Sequence, residues 1–530
     1  PAAENRGGVL RDEDREALER QQIFLAPHGM EQFHLEIQNL YAALAQPTEK
    51  LTVSYPVSDG KGAEKRPSFV IGRIARLLPS ISVDTESADK EYRLSAKSTA
   101  LEYAGEHIGG ALWQYFEGQG DAERALAAMK DASRYTRGHL SRDAVHALYG
   151  GAVTLSASRM DMARSCHFAY FMRYGLKARE RTGAGFDAPQ IGTFVHDVME
   201  HTLRQAKECG GLHTLSKDKL HALVRASIEE YIDRVLPDLC EKSARFRYLF
   251  NRLCATVERI MDEVSEELQS SDFEPLAFEL EFGADGQLPA ITIREENGTA
   301  RVVGKVDRVD GWLHDGKLYL RVVDYKTGKK SFDLAELRYG LGLQMLLYLF
   351  TLKEEGQMLF GGHEIVPAGV LYTPAREPML RCARDTEPEK IEKALKKELR
   401  RSGMVLEDPA VLQAMEHSAL ESPCYLPIAV KRDGAVTGSL ASAEQLGKLS
   451  KYVDHILHEI TQEVFAGNID ADPYARTPQQ SACTYCEFAS ACHFENGCGS
   501  DRMEYIKATK NDEFWQYIDE VNGEGARENG

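Results

Sequence analysis

The stretch LRVVDYKTGKK, residues 320–330, alternates apolar side chains and then sets an acid and a lysine two positions apart. On a strand, residues two apart share a face. Leu320, Val322, Asp324 and Lys326 therefore line one side, and Arg321, Val323 and Tyr325 the other. Upstream, GKVDRVD (304–310) carries Asp307, and His-Asp-Gly at 314–316 separates the two apolar runs as a hairpin would. The hairpin makes the strands antiparallel neighbours and brings Asp307 towards Asp324. Two carboxylates at such a distance repel each other unless a cation lies between them. Hard oxygen ligands suit Mg²⁺ or Mn²⁺. A water bound to such an ion is acidified, and a neighbouring lysine can orient it or help deprotonate it. This is the equipment for phosphodiester hydrolysis. A lone Asp-x-Lys is more often a strand-end acid with its ion-pair lysine; the specific signal is GKVDRVD, hairpin, VVDYKTG and LQMLLYLF in succession.

The bulk numbers bound this reading. A chain of 530 residues is too long for one core and implies two or three domains. A hydrophobic content of 43% with 28% charged residues describes a globular protein. The most apolar run, LGLQMLLYLF, is far shorter than a membrane span and holds a glutamine. The N-terminal segment has no signal-peptide core and starts with proline, which is expected of a processed product or a piece of a longer chain. A cytoplasmic location follows as the expectation. Acidic residues outnumber basic ones by 82 to 64, for a formal charge of −18. That disfavours non-specific coating of nucleic acid but leaves room for a local basic groove. No GxxxxGK[ST] loop occurs, so a complete Walker-type ATP site is excluded.

Residues 1–150 read as mixed α/β, with DEDREALERQQ and EQFHLEIQNLYAALAQP as helices and KLTVSYPVSD as a strand. From 155 the character changes. IGTFVHDVMEHTLRQAKE has an apolar stripe at helical spacing, with His196 and Glu200 four apart on one face. LRYGLGLQMLLYLFTLK predicts a buried helix bearing Gln344 and Tyr348, followed by the strand PAGVLYTP, a charged helix near 387–401 and the amphipathic KYVDHILHEITQEVF. Near the end, CTYCEFASAC places Cys483, Cys486 and Cys492 close enough to imply a metal or cluster. Cys498, His493 and the distant Cys166 are the candidate fourth ligands, and spacing alone favours a local one.

Together, GKVDRVD, VVDYKTG and LQMLLYLF resemble the nuclease domain of the RecB family within the PD-(D/E)xK superfamily. The resemblance implies an α/β fold with a mixed central sheet flanked by helices. It implies a divalent metal, Mg²⁺ or Mn²⁺, held by His196 (in a G-x-x-x-H context with Gly192), Asp307, Asp324 and the Tyr325 carbonyl. Lys326 would activate water, and Gln344 and Tyr348 would position DNA and the site. The family often adds an acid from the preceding strand, here Glu279 or Glu281. One upstream cysteine with a C-terminal CxxC-x₅-C is similar to AddB-type subunits of bacterial AddAB helicase–nucleases, where four thiolates hold a [4Fe–4S] cluster. That implies Cys166, Cys483, Cys486 and Cys492 as a structural staple. Closing so long a loop would restrict the unfolded chain as a disulfide does.

The N-terminal segment resembles the end of the helicase-like region of the same family. The implied organisation is residues 1–154 as the C-terminal part of a helicase-like α/β domain without an ATP site, 155–500 as the nuclease with its cluster, and 501–530 as a tail. The implied partners are an AddA-type motor subunit and DNA, as double-strand ends and unwound single strand. The implied activity is Mg²⁺-dependent exonuclease cleavage of one strand, the 5′-ended one, during resection of double-strand breaks for recombinational repair. The alternatives are a stand-alone Cas4-like exonuclease and a DNA-binding scaffold with a vestigial nuclease fold. Lys329, Lys330 and Arg338 lie near enough in sequence to contact phosphates.

Overall fold

Alternation over residues 317–326 requires a strand, and the Asp-Gly before it requires a tight turn. The computed structural model describes residues 12–25, 29–57, 64–81, 92–134, 136–179, 188–237, 243–283, 286–380, 382–383, 386–477 and 479–528. The chain divides into two compact units, Pro1–Met129 and Lys130–Gly530, a boundary ahead of the change in sequence character at 155. The described part of the first unit is helical, including Asp12–Arg20, Gly29–Ala45, Phe69–Leu77, Lys97–Glu106 and Ala111–Phe116. Ala100, Ala104, Trp113, Phe116, Ala122 and Leu126 form a small core. The alternating segment 50–57 forms no strand. Pro56 offers no N–H to a ladder, and alternation without a neighbouring strand leaves the backbone unpaired. Residues 58 and 59 of that stretch lie outside the described residues.

In the second unit the elements in chain order are β1 (Ala152–Leu155), α1 (Ala157–Ser165), α2 (Ala188–Glu208), α3 (Lys217–Val235) and α4 (Ala244–Gln269). Then come β2 (Glu274–Phe282), β3 (Ile291–Glu295), β4 (Gly298–Val302), β5 (Gly304–His314) and β6 (Lys317–Lys326). The last are α5 (Gln344–Glu355), β7 (Glu364–Pro374), β8 (Ser402–Leu406), β9 (Leu440–Ala441), α6 (Ala443–Phe465) and α7 (Asn511–Glu528).

A six-stranded sheet runs in the order β9–β8–β7–β6–β5–β2. β2, β5 and β6 are successive antiparallel neighbours. The β5–β6 turn has positive φ at Asp315 (49°) and Gly316 (78°), as a two-residue type I′ hairpin needs. Its register, His314 opposite Lys317 through Arg308 opposite Val323, carries on to set Asp307 against Asp324. β6 and β7 are parallel, so the chain between them must cross over, and α5 is that crossover. Every residue of α5 from Met345 to Leu352 is buried. A smaller sheet, β1–β4–β3, leads the chain into α1 and Cys166. The C-terminal segment is part of this unit: Phe514, Trp515 and Ile518 of α7 join its core, and Lys448 of α6 pairs with Asp519 at 2.9 Å.

The face of β6 opposite Asp324 is not solvated. Arg308 and Arg321 are fully buried there with Asp310. Arg321 Nε donates to Asp310 Oδ2 at 2.8 Å, Arg308 Nη2 donates to the same oxygen at 3.0 Å, and Arg308 Nη1 donates to the Tyr325 hydroxyl at 2.7 Å. Glu267 of α4 lies 3.5 Å from Arg321 and takes a forked pair from Arg401 at 3.0 and 2.6 Å. Burial pushes the Glu267 carboxyl up, but the charges of Arg401, Arg321 and Arg308 outweigh it and hold it at about 2. Because the folded value lies below the ordinary 4.5, this stabilisation is present above about pH 4.5 and is lost as pH falls towards 2. Glu267→Gln strands buried guanidinium charge and is expected to cost ~3–5 kcal/mol by urea denaturation at pH 7. The deficit relative to the unmutated chain should shrink on acidification below pH 4.5.

Candidate active site

The site forms where α2 meets the ends of β2, β5 and β6. His196, Glu279 and Asp307 bring ligand atoms within 4.8 Å of one another. His196 Nδ1 lies 3.3 Å from Asp307 Oδ2, and its Nε2 lies 2.9 Å from the Tyr325 carbonyl oxygen. Asp307 Oδ2 also accepts from the Tyr325 N–H at 2.9 Å. Both imidazole nitrogens thus face oxygen. Burial lowers the His196 pKa, but the hydrogen bond and charge of Asp307, with Asp324 and Glu279 beyond it, raise it overall.

Asp324 is almost wholly buried, and Lys326 Nζ meets its Oδ2 at 2.7 Å. Burial and the charge of Asp307 push the Asp324 carboxyl up to about 6 against the pull of Lys326. Carboxylates crowded in this way favour a bound cation. Oxygen donors with one imidazole and the Tyr325 carbonyl beside them fit Mg²⁺ or Mn²⁺.

Glu279 separates itself from Glu281 by register and backbone. Phe278 pairs with Arg308 and Leu280 with Val306, so Glu279 stands opposite Asp307. Its φ of 49° is left-handed, a conformation costing ~1–2 kcal/mol for a residue with a Cβ, and it occurs where the side chain reaches the acidic group. Glu281 is half-exposed and only approaches Lys305, at 3.6 Å. Lys305, which no sequence motif singles out, pairs with Glu279 at 2.6 Å. It lines two cavities, one of about 400 Å³ with Gly192, His196, Glu200 and Glu279, and one of about 600 Å³ with Gln344 and Tyr348. The signal for Glu279 was its place in the ladder, legible only once β2 is paired.

Gln344 Nε2 donates to the Tyr348 hydroxyl at 3.2 Å, one turn along α5. The glycine opening GKVDRVD is sterically required: a Cβ on Gly304 would lie 2.5 Å from the Tyr348 ring. A Cβ on Gly192 would meet nothing, so that glycine leaves open space beside His196. Asp161 of α1, also without a sequence signal, accepts from the Gly342 N–H at 2.9 Å and ties α1 to the start of α5. Of the three basic candidates, Lys329 and Lys330 are exposed, whereas Arg338 packs over the Tyr517 ring at 4.5 Å and is turned into the fold.

A second site lies apart from the acids. Cys166, Cys483, Cys486 and Cys492 line one cavity of about 580 Å³ together with His493, and Cys498 is not among its lining residues. Burial pushes the Cys166 thiol up to about 12 and raises Cys483 and Cys492 as well. Thiols so buried become thiolates only on binding a cation. Four cysteines around one largely apolar hollow fit an iron–sulfur cluster.

A sheet that presents Asp307, Asp324 and Lys326 from adjacent strands, with an acid from β2 and a histidine from a flanking helix, defines a metal-dependent nuclease fold. The chain belongs to the PD-(D/E)XK nuclease superfamily, whose family model matches residues 154–493. It is 30% identical over 98% of its length to the B-type subunit of the ATP-dependent helicase/deoxyribonuclease of Ruminiclostridium cellulolyticum, covering 47% of that protein. The same-named proteins of Acetivibrio thermocellus and Thermoanaerobacter sp. are 31% and 29% identical over 98% and 99% of the chain, with 47% and 48% of those proteins covered. The chain spans about half the length of the curated relatives it matches. Among the described residues, no helix is long and apolar enough to cross a membrane.

Glu279→Gln is expected to weaken Mn²⁺ binding by more than about tenfold in calorimetric titration. Glu281→Gln should bind Mn²⁺ as the unmutated chain does.

Proposed function

We propose that this chain is the nuclease-bearing part of a helicase–nuclease subunit and hydrolyses DNA phosphodiesters with a divalent metal. The observation that carries the reading is the meeting of His196, Glu279 and Asp307 beside the Asp324–Lys326 pair. His196, Glu279, Asp307, Asp324 and the Tyr325 carbonyl hold Mg²⁺ or Mn²⁺, which supplies charge neutralisation and an acidified water. Lys326 Nζ, held by Asp324, is placed to orient the attacking water and to bear part of its proton's charge. The Gln344–Tyr348 pair and Lys305 line the approach, where they position the backbone of the strand being cut.

In its cellular setting the protein works with an AddA-type motor, which supplies ATP-driven unwinding. It degrades one strand, the 5′-ended one, as double-strand breaks are resected for recombinational repair. The relatives' name supports this setting, and the lack of a GxxxxGK[ST] loop in this chain agrees with the motor lying elsewhere. Cys166, Cys483, Cys486 and Cys492 hold a [4Fe–4S] cluster that staples the nuclease together.

The test is strand-labelled DNA degradation by the partner-bound complex. Lys326→Ala is expected to lower cleavage of one labelled strand by roughly 10²–10⁴-fold while unwinding continues. Asp324→Ala should abolish cleavage of that strand. If both mutants still cut both strands as before, the site is vestigial and the chain serves as a DNA-binding scaffold. Mg²⁺-dependent cleavage without any motor would instead indicate a stand-alone exonuclease.

A further inference from the structure

Arg137 lies outside every motif above and precedes the nuclease core, yet its side chain is only 9% exposed. Its Nε and Nη2 form a fork on Asp501, each bond 2.8 Å, and Asp501 is itself buried. Nη2 also donates to the carbonyl of Cys492 at 2.8 Å. The guanidinium plane covers the Phe168 ring, 4.5 Å from its centroid. Phe168 follows Cys166 by two residues and lines the cysteine cavity. Asp501 folds the end of the loop around this contact, accepting from the Glu495 N–H at 3.3 Å while its own N–H donates to the Cys498 carbonyl at 3.0 Å. The segment carrying Arg137 is anchored independently, since the Leu140 N–H donates to the Gly467 carbonyl at 2.9 Å.

We infer that Arg137 is a positioning residue for the cysteine centre, clamping the Cys166 half to the Cys483–Cys492 half and placing a buried positive charge beside it. The inference rests on reading the four cysteines as a cluster site. The physical grounds are separate from that reading. Cys166 and Cys492 approach the cavity from segments more than three hundred residues apart in sequence, so something must hold them at a fixed spacing before or after the inorganic core is bound. One planar fork that bonds one segment and stacks on the other does so at small entropic cost. Four thiolates around an iron–sulfur core leave it net negative, and a buried guanidinium offsets that charge where water cannot. Asp501 keeps the guanidinium oriented and prevents it from being an unpaired buried cation.

The experiment uses the full chain purified without oxygen. Iron and sulfide per chain are measured, with the rate of loss of visible absorbance under a chelator and the spin-resonance spectrum after dithionite reduction. Arg137→Lys keeps the charge without the fork. Arg137→Gln combined with Asp501→Asn removes both charges together, so neither is left stranded and the fold is preserved. The expected order of iron loss is unmutated slowest, Arg137→Lys intermediate and the neutral pair fastest, at about tenfold or more over the unmutated chain. The reduced spectrum of the neutral pair should be altered as well. If the neutral pair loses iron at the unmutated rate with an unchanged spectrum, the inference is overturned, and a lowered melting temperature alone would not rescue it. If the unmutated chain carries zinc without sulfide, the cluster reading fails instead. The same variants then test the clamp by zinc release into a chromophoric chelator, with tenfold faster release supporting it and an unchanged rate overturning it.

Discussion

The charges buried behind β5 and β6 decide whether the acids in front of them meet. Arg308 follows Asp307 directly, and Asp324 lies three residues beyond Arg321, so each strand presents a metal-side acid and a core-side arginine to opposite faces. A one-residue slip in pairing would turn every side chain over. It would drive Asp307 and Asp324 into the core and turn the arginines out of their cage. The cage of Asp310, Glu267 and the Tyr325 hydroxyl accepts guanidinium at particular places and nowhere else. Such pairs add little net stability over a well-packed apolar core, but they penalise the wrong arrangement heavily. Here the wrong arrangement is a disassembled site.

On the other face the same strands are kept in tension. Asp324 is held near neutrality by burial and by Asp307, Glu279 occupies a left-handed backbone, and His196 has oxygen at both nitrogens. None of these is the lowest-energy choice for its residue taken alone. Together they make a cation the group that relieves the most unfavourable contacts at once, which is how a site gains metal affinity without many ligands.

Most of the fold was readable because its signals are local. The Asp-Gly turn, the alternation on β6 and the apolar length of α5 each need only a short window of sequence, and each appears where those windows place it. The acid, lysine and histidine positions could be read because two strands and one helix carry them at regular spacing. What stayed hidden depends on pairings between distant segments. Glu279 and Glu281 are indistinguishable until β2 is set against β5. Arg308 and Arg321 read as exposed strand residues, since nothing near them in sequence announces Glu267 or Arg401 as partners. The segment 50–57 shows the reverse error, where a local pattern without a neighbour produces no strand.

The cysteine cavity has an architectural consequence. Residue 166 and residues 483–492 line it together, so the polypeptide enters and leaves the central sheet through one gate. A unit whose two connections emerge side by side can be inserted into a host chain, or lifted out of it, while disturbing little beyond the splice. The sheet, its acids and the helix bearing Gln344 all lie within that loop and travel together. Such a cassette can be handed from one motor-associated protein to another by exchanging a single compact block of coding sequence, with the host's own linkers left unchanged.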